Sequence, residues 1–214
     1  MRLAITLFIL VGLIAVPSCN KRPQVDLSTP KQALKTLAGA MYDGDSAKAR
    51  ECVLPGHAND VAVDVGTKIS TSMRRATDAI FKRFGESIKS ANGQPVDPNR
   101  IDPTDVDTAT ETVNGDEATL VLGRTHKSVT LHKTDGKWKV DLKSWFRIPD
   151  DDTSIKFAQS MLDAMSAAAD EVASDVESGK YQTAQAAVAD MVARMKGALE
   201  REKNRLTDQV RQGR

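Results

Sequence analysis

The side chains of this 214-residue chain that could do chemistry are three histidines, two cysteines and a scatter of serines and carboxylates. His57 stands three residues before Asp60, while His126 and His132 share strand parity but lie six apart. Neither arrangement has the spacing of a metal-ligand set, so loop or surface histidines and no metal site are expected. Cys52 ends a short apolar stretch with no histidine nearby in sequence. A reactive thiol needs an electropositive, exposed setting, so the expectation for Cys52 is a buried free thiol. No Gly-x-Ser-x-Gly elbow occurs and no glycine-rich phosphate loop follows a strand, so the sequence nominates no catalytic residue and no cofactor. The last stretch carries Arg194, Lys196, Arg201, Lys203, Arg205, Arg211 and Arg214 against Glu200, Glu202 and Asp208. That surplus suits acidic partners or anionic headgroups, although cations late in a helix also simply complement its dipole.

The other cysteine, Cys19, stands in a telling place. Met1-Arg2 is followed by an uninterrupted apolar run from Leu3 to Val16, then by Pro17-Ser18-Cys19 and an abruptly polar continuation. A positive start, a short apolar core and a small residue before the break describe an export signal. The run is shorter than the roughly 20 residues that a membrane-spanning helix needs. The segment Val16-Pro17-Ser18-Cys19 resembles the bacterial lipoprotein signal. That resemblance implies that the Cys19 thiol receives a diacylglyceryl group and becomes the new N-terminus. Cys19 is therefore the expected lipid attachment site. A thioether there would leave Cys52 without an intramolecular disulfide partner, in a compartment where disulfides are otherwise expected. Each buried methylene contributes about 0.8 kcal/mol, so several acyl chains would make the anchor permanent. Asn20 after the cysteine, in place of aspartate, resembles the pattern sorted to the outer membrane.

Beyond the signal, the chain has room for one domain of ordinary size with an appendage, or for two small domains. Charged residues make up 28% of the chain yet the formal net charge is only +1, unlike the basic face of a dedicated nucleic-acid binder. Aromatics at 4% disfavour sites built on stacked rings.

Positioning elements follow from periodicity and punctuation. Residues 20–28 read as a polar tether in which Lys21 and Arg22 could meet headgroups. Thr29-Pro30-Lys31-Gln32 is a capping box opening a helix with Ala33, Leu34, Leu37, Ala38 and Met41 on its buried face. Asp43-Gly44-Asp45 ends it, a short helix runs to about Val53, and Leu54-Pro55-Gly56 stops that. A third helix is expected from Asn59 to Phe84, closed by Gly85, with a long loop from Glu86 to Pro103. Between Val106 and Trp145 the period drops to two, with turn signals at Asn114-Gly115 and Asp135-Gly136, which predicts four strands in two hairpins. From Asp150 onward two helices are expected. One has the seam Ile155, Ala158, Leu162, Met165, Ala169, Val172 and Val176, and the other has Val188, Val192, Met195, Leu199, Leu206 and Val210.

Helices preceding antiparallel strands, with Ser28-Thr29-Pro30-Lys31-Gln32-Ala33, Tyr42-Asp43-Gly44-Asp45 and Lys133-Thr134-Asp135-Gly136-Lys137-Trp138-Lys139-Val140, resemble small bacterial lipoprotein domains of the NTF2-like superfamily. The resemblance implies a curved sheet wrapped round helices into a cone. In ketosteroid-isomerase relatives such a cone holds a carboxylate base and a facing tyrosine or protonated acid. Tyr42 and Asp43 are the residues that could approach such a cavity, although the family's catalytic motif is not recognisable here.

The expected fold class is thus α+β: N-terminal helices on a curved antiparallel sheet, an NTF2-like cone, followed by a C-terminal α-helical hairpin. The expected boundaries are a signal at 1–18, a tether at 19–27, the α+β domain at 28–148 and the hairpin at 149–214. The expected role is that of a lipid-anchored cell-envelope protein that binds or scaffolds without catalysis, on the periplasmic face of the outer membrane in a Gram-negative cell. Expected partners are the membrane through the N-terminal lipid and an envelope protein through the hairpin, with homodimerisation as a further option and no nucleic acid. The alternative is a small-molecule carrier or enzyme using the interior of the cone.

Overall fold

The computed structural model describes residues 25–85, 103–123, 126–146, 148 and 151–212. Cys19, the signal, Lys21 and Arg22, and the expected loop from Glu86 up to residue 102 lie outside the described residues.

Local signals set the element boundaries. Helix α1 spans Pro30–Asp43, its first turn capped by the Thr29 hydroxyl, which accepts from the Gln32 N–H at 3.2 Å. Gly44, at φ 80°, ends α1 in the left-handed region that glycine adopts without strain. Helix α2 covers Ser46–Glu51 under an Asp45 cap, and α3 runs from His57 to Phe84 and closes at Gly85. A short α4 (Pro103–Asp107) takes up the start of the expected strand region. Strands β1 (Thr110–Asn114), β2 (Glu117–Val121), β3 (Ser128–Thr134) and β4 (Lys137–Val140) form an antiparallel meander in that order. At the β3–β4 turn Asp135 and Gly136 both have positive φ, as a two-residue primed turn requires. Then follow α5 (Leu142–Phe146), α6 (Asp152–Glu177) and α7 (Ala184–Gln212).

One sheet face is apolar and built from Ala118, Leu120, Val129, Leu131, Trp138 and Val140, packed on Leu34 and Leu37 of α1 and on Val61 and Val65 of α3. The β4 edge is covered by chain that precedes it. Trp138 N–H donates to the Leu27 carbonyl at 3.0 Å, and Val140 exchanges backbone bonds with Cys52 and Leu54 at 2.8 and 3.0 Å. The β1 edge is open, and all five of its residues are exposed.

Two features correct the expected arrangement. First, β1 overhangs the helices, with Val113 50% exposed, so the sheet does not curl into a closed cone over them. Second, the C-terminal hairpin shares a core with α3. Helix α6 lies parallel to α3, with Lys68 bonded to Asp163 at 2.6 Å, Ser72 to Asp170 at 3.0 Å and Arg75 to Glu177 at 3.1 Å. Helix α7 returns antiparallel along α6. A second core forms there, from Met73, Ala76 and Ile80 of α3, Ala169, Val172 and Val176 of α6, and Ala187 and Met191 of α7. The cause is length: 28 helical residues extend about 42 Å, far beyond a sheet of four- to seven-residue strands, and the protruding half must bury its apolar stripe elsewhere. The α7 stripe also differs from expectation, with Met191 buried and Val192 59% exposed.

Small hydroxyl residues occupy the waist between the two cores. Thr67, Ser70 and Ser166 are buried on α3 and α6, and the Thr67 and Ser166 hydroxyl oxygens have no hydrogen-bond partner among the described residues. Burying an unsatisfied hydroxyl is unfavourable by about 1–3 kcal/mol. Ser166→Ala, which removes the hydroxyl and favours the helix, is therefore expected to stabilise the protein by about 1 kcal/mol. A higher urea midpoint with unchanged slope is the expected reading. A lower midpoint would mean that the Ser166 hydroxyl has a partner in solution.

Candidate functional site

Along the exposed side of the second half of α3, Thr71, Arg74, Arg75, Asp78 and Lys82 recur at spacings of three and four and so share one face. With Arg83 and Ala79 from α3 and Val176 and Glu177 from α6, they line an open groove of about 840 Å³. Its apolar floor is the pair Ala79 and Val176, 8% and 0% exposed. Four cations face two carboxylates in it.

Neighbours hold these cations in different ways. Arg74 lies over the Tyr42 ring, 5.3 Å from its centroid, so the end of α1 forms one border of the site. Arg75 is occupied by Glu177 at 3.1 Å, Ser174 at 3.2 Å and Asp170 at 3.7 Å. Arg83 stacks 5.7 Å over Phe84 and rests against Gly179, where a Cβ would come within 3.0 Å of its guanidinium; glycine permits that approach at φ 87°. Lys82 has no ion-pair or hydrogen-bond partner among the described residues, and Phe81 next to it is 56% exposed. The arrangement offers positive charge over an apolar floor. It assembles no nucleophile with a base.

Comparison with protein-family models, with curated proteins and with solved structures returned no match. The functional reading therefore rests on the residues themselves.

The residues nominated from sequence fall elsewhere. His57 opens α3 and is exposed, His126 lies between β2 and β3 at φ 52°, and His132 sits on the polar face of β3. No three metal-ligating side chains gather among the described residues. Cys52 is fully buried; burial pushes its thiol up to about 11, and it donates to the Lys48 carbonyl at 3.3 Å. Tyr42 is half-buried beneath Arg74 and Asp43 is exposed, so the two do not converge on an apolar cavity. The C-terminal cations are partly committed: Arg205 pairs with Glu202 at 2.8 Å, and Arg194 joins α7 to α6. No helix among the described residues is long and apolar enough to cross a membrane.

Arg194 centres the densest polar cluster. It donates to Asp175 at 2.6 Å, Asp190 at 2.8 Å and Glu171 at 3.2 Å, while the Tyr181 hydroxyl donates to Asp190 at 2.5 Å. Hydrogen bonds from Lys180 and Arg194 hold Asp175 below the usual carboxylate range, and the Tyr181 hydroxyl does the same for Asp190. Burial, reinforced by Asp190, holds the Tyr181 phenol above its ordinary value. The depressed carboxylates favour the folded state above their unfolded pKa near 4, and that contribution disappears as pH falls through their lower folded values. The raised phenol opposes unfolding up to about pH 10, and its contribution shrinks above that. Thermal stability is therefore expected to be flat from about pH 5 to 9 and to fall below about pH 4. In Arg194→Met the acid-side fall should be shallower; an identical pH profile would mean that other carboxylates govern acid unfolding.

The groove was hard to find from sequence because its walls are about 100 positions apart. One signal was present: the pairs Arg74-Arg75 and Lys82-Arg83 stand eight apart on a helix, which returns them to neighbouring positions two turns on.

Proposed function

We propose that this chain is a lipid-anchored cell-envelope protein that binds or scaffolds at the membrane surface without catalysis, and that the groove between α3 and α6 is its binding site. The observation that carries this reading is the groove itself: open, cation-rich, floored by Ala79 and Val176 and built on two helices. Its position supports an adaptor. The first described residues, from Val25, pack against the first core, where the Leu27 carbonyl is bonded to Trp138. Cys19 stands six positions before Val25, a reach of about 20 Å when extended. The groove lies at the other end of α3, where a partner in the envelope can reach it.

The test has two parts. Labelling of cells with a palmitate analogue should mark the wild-type chain and not Cys19→Ser, which should also leave the membrane fraction. Crosslinking of the anchored protein in its own cells should capture a partner that is lost in the double variant Lys82→Glu/Arg83→Glu. An unlabelled Cys19 removes the anchor from this reading, and crosslinks unchanged by the charge reversal remove the groove.

A further inference from the structure

The chemistry of the groove specifies the kind of partner it fits, an inference that rests on the binding role proposed above. We propose that the groove recognises an acidic protein segment that carries its carboxylates about 13 Å apart with an apolar side chain between them. The spacing comes from α3. Arg74 and the Lys82-Arg83 pair are eight to nine residues apart, about 13 Å along the helix axis. A single phosphate or carboxylate cannot span that distance, but an extended segment places residues four apart at about the same separation.

The middle of the site is apolar. Ala79 and Val176 form its floor. An apolar side chain from the partner would rest on Ala79 and Val176 while its acids meet Arg74 at one end and Lys82 and Arg83 at the other. Arg75 is already neutralised by Glu177 and Asp170, so it serves as wall.

An anionic bilayer fits less well. The surface is concave, so a flat bilayer would not reach its apolar floor. The second half of α3 is also remote from Val25 and Leu27, which belong to the first core. The β3–β4 turn provides an internal control, because it carries Lys133 and Lys137 with Asp135 between them and none of the three lines the groove.

The experiment uses the full-length chain in a mild non-ionic detergent and labelled peptides of about twelve residues, read by fluorescence anisotropy. One peptide is composed of glutamate and leucine, the other of lysine and leucine. The glutamate peptide is expected to bind, to weaken at least tenfold between about 50 and about 500 mM salt, and to weaken at least tenfold in Lys82→Glu/Arg83→Glu. The lysine peptide should not bind. Both altered side chains are exposed, so the variant should retain the wild-type melting curve, and Lys133→Glu/Lys137→Glu should bind as wild type. Equal binding of both peptides, or undiminished binding to the groove variant, would overturn the proposal. So would displacement of the peptide by millimolar inorganic phosphate, which would mark a simple anion site. Binding only to phosphatidylglycerol vesicles would overturn it in favour of a membrane contact. Peptide binding does not require acylation, so its loss with Cys19 still labelled defeats this inference alone, while binding with Cys19 unlabelled defeats only the anchor.

Discussion

Val172→Asp is expected to reduce the stability of the whole protein by about 3–5 kcal/mol, a large share of the 5–15 kcal/mol that holds a typical domain together. Val172 is fully buried in the second core, among side chains of α3, α6 and α7. A carboxylate placed there finds neither a cation nor water. The informative readout is in the other half of the molecule. Trp138 and Trp145 both belong to the first core, so tryptophan fluorescence reports on a region that the substitution does not touch. Because α3 and α6 each run through both cores, the tryptophan signal is expected to melt at the same lowered temperature as the helical signal. A fluorescence transition left at the wild-type temperature, with only helical signal lost early, would show that the second core folds by itself.

Leu131→Ala makes the reciprocal test and is expected to destabilise the protein by about 3–5 kcal/mol. Leu131 lies on central strand β3 between Ala118 and Val140, fully buried against the helices. Truncation removes transfer energy and leaves a cavity that a sheet pinned on both sides cannot close. Labelling of Cys52 supplies an independent measurement, since its thiol is buried in the same core and reacts only when that core opens. Its labelling rate under native conditions should rise in Leu131→Ala and, through the shared helices, by a comparable factor in Val172→Asp. Faster labelling in Leu131→Ala alone would separate the two cores energetically.

Both variants test α3, the element whose role was least visible beforehand. Its period and its Gly85 stop are local features, and the helix occurs where they place it. Its partners are not local. The residues that cover Met73, Ala76 and Ile80 come from α6 and α7, some 90 to 115 positions later, and a stripe of apolar residues does not say which other stripe it meets. For that reason the sequence did not show that the C-terminal hairpin shares a core with α3. Alanine seams on α6 fit α7 and α3 equally well, and α6 turned out to have a face for each. The expected cone failed for a related reason: strand alternation identifies an apolar face but not how far the helices beneath it extend, and β1 was left uncovered.

The sequence by itself determined the caps at Thr29, Asp45 and Asp151, the stops at Gly44 and Gly85, the Asp135-Gly136 turn and the four-strand meander, because each depends on residues within a few positions of one another. The proposed export signal and the proposed attachment site at Cys19 are likewise read as a linear pattern. Only the tertiary structure decided that α3 joins two cores, that Arg194 is engaged in the α6–α7 contact, and that Arg74, Lys82 and Arg83 share a groove with Val176 and Glu177. Those outcomes depend on which apolar surfaces find each other across about 100 residues of chain, and burial rewards area without regard to sequence order.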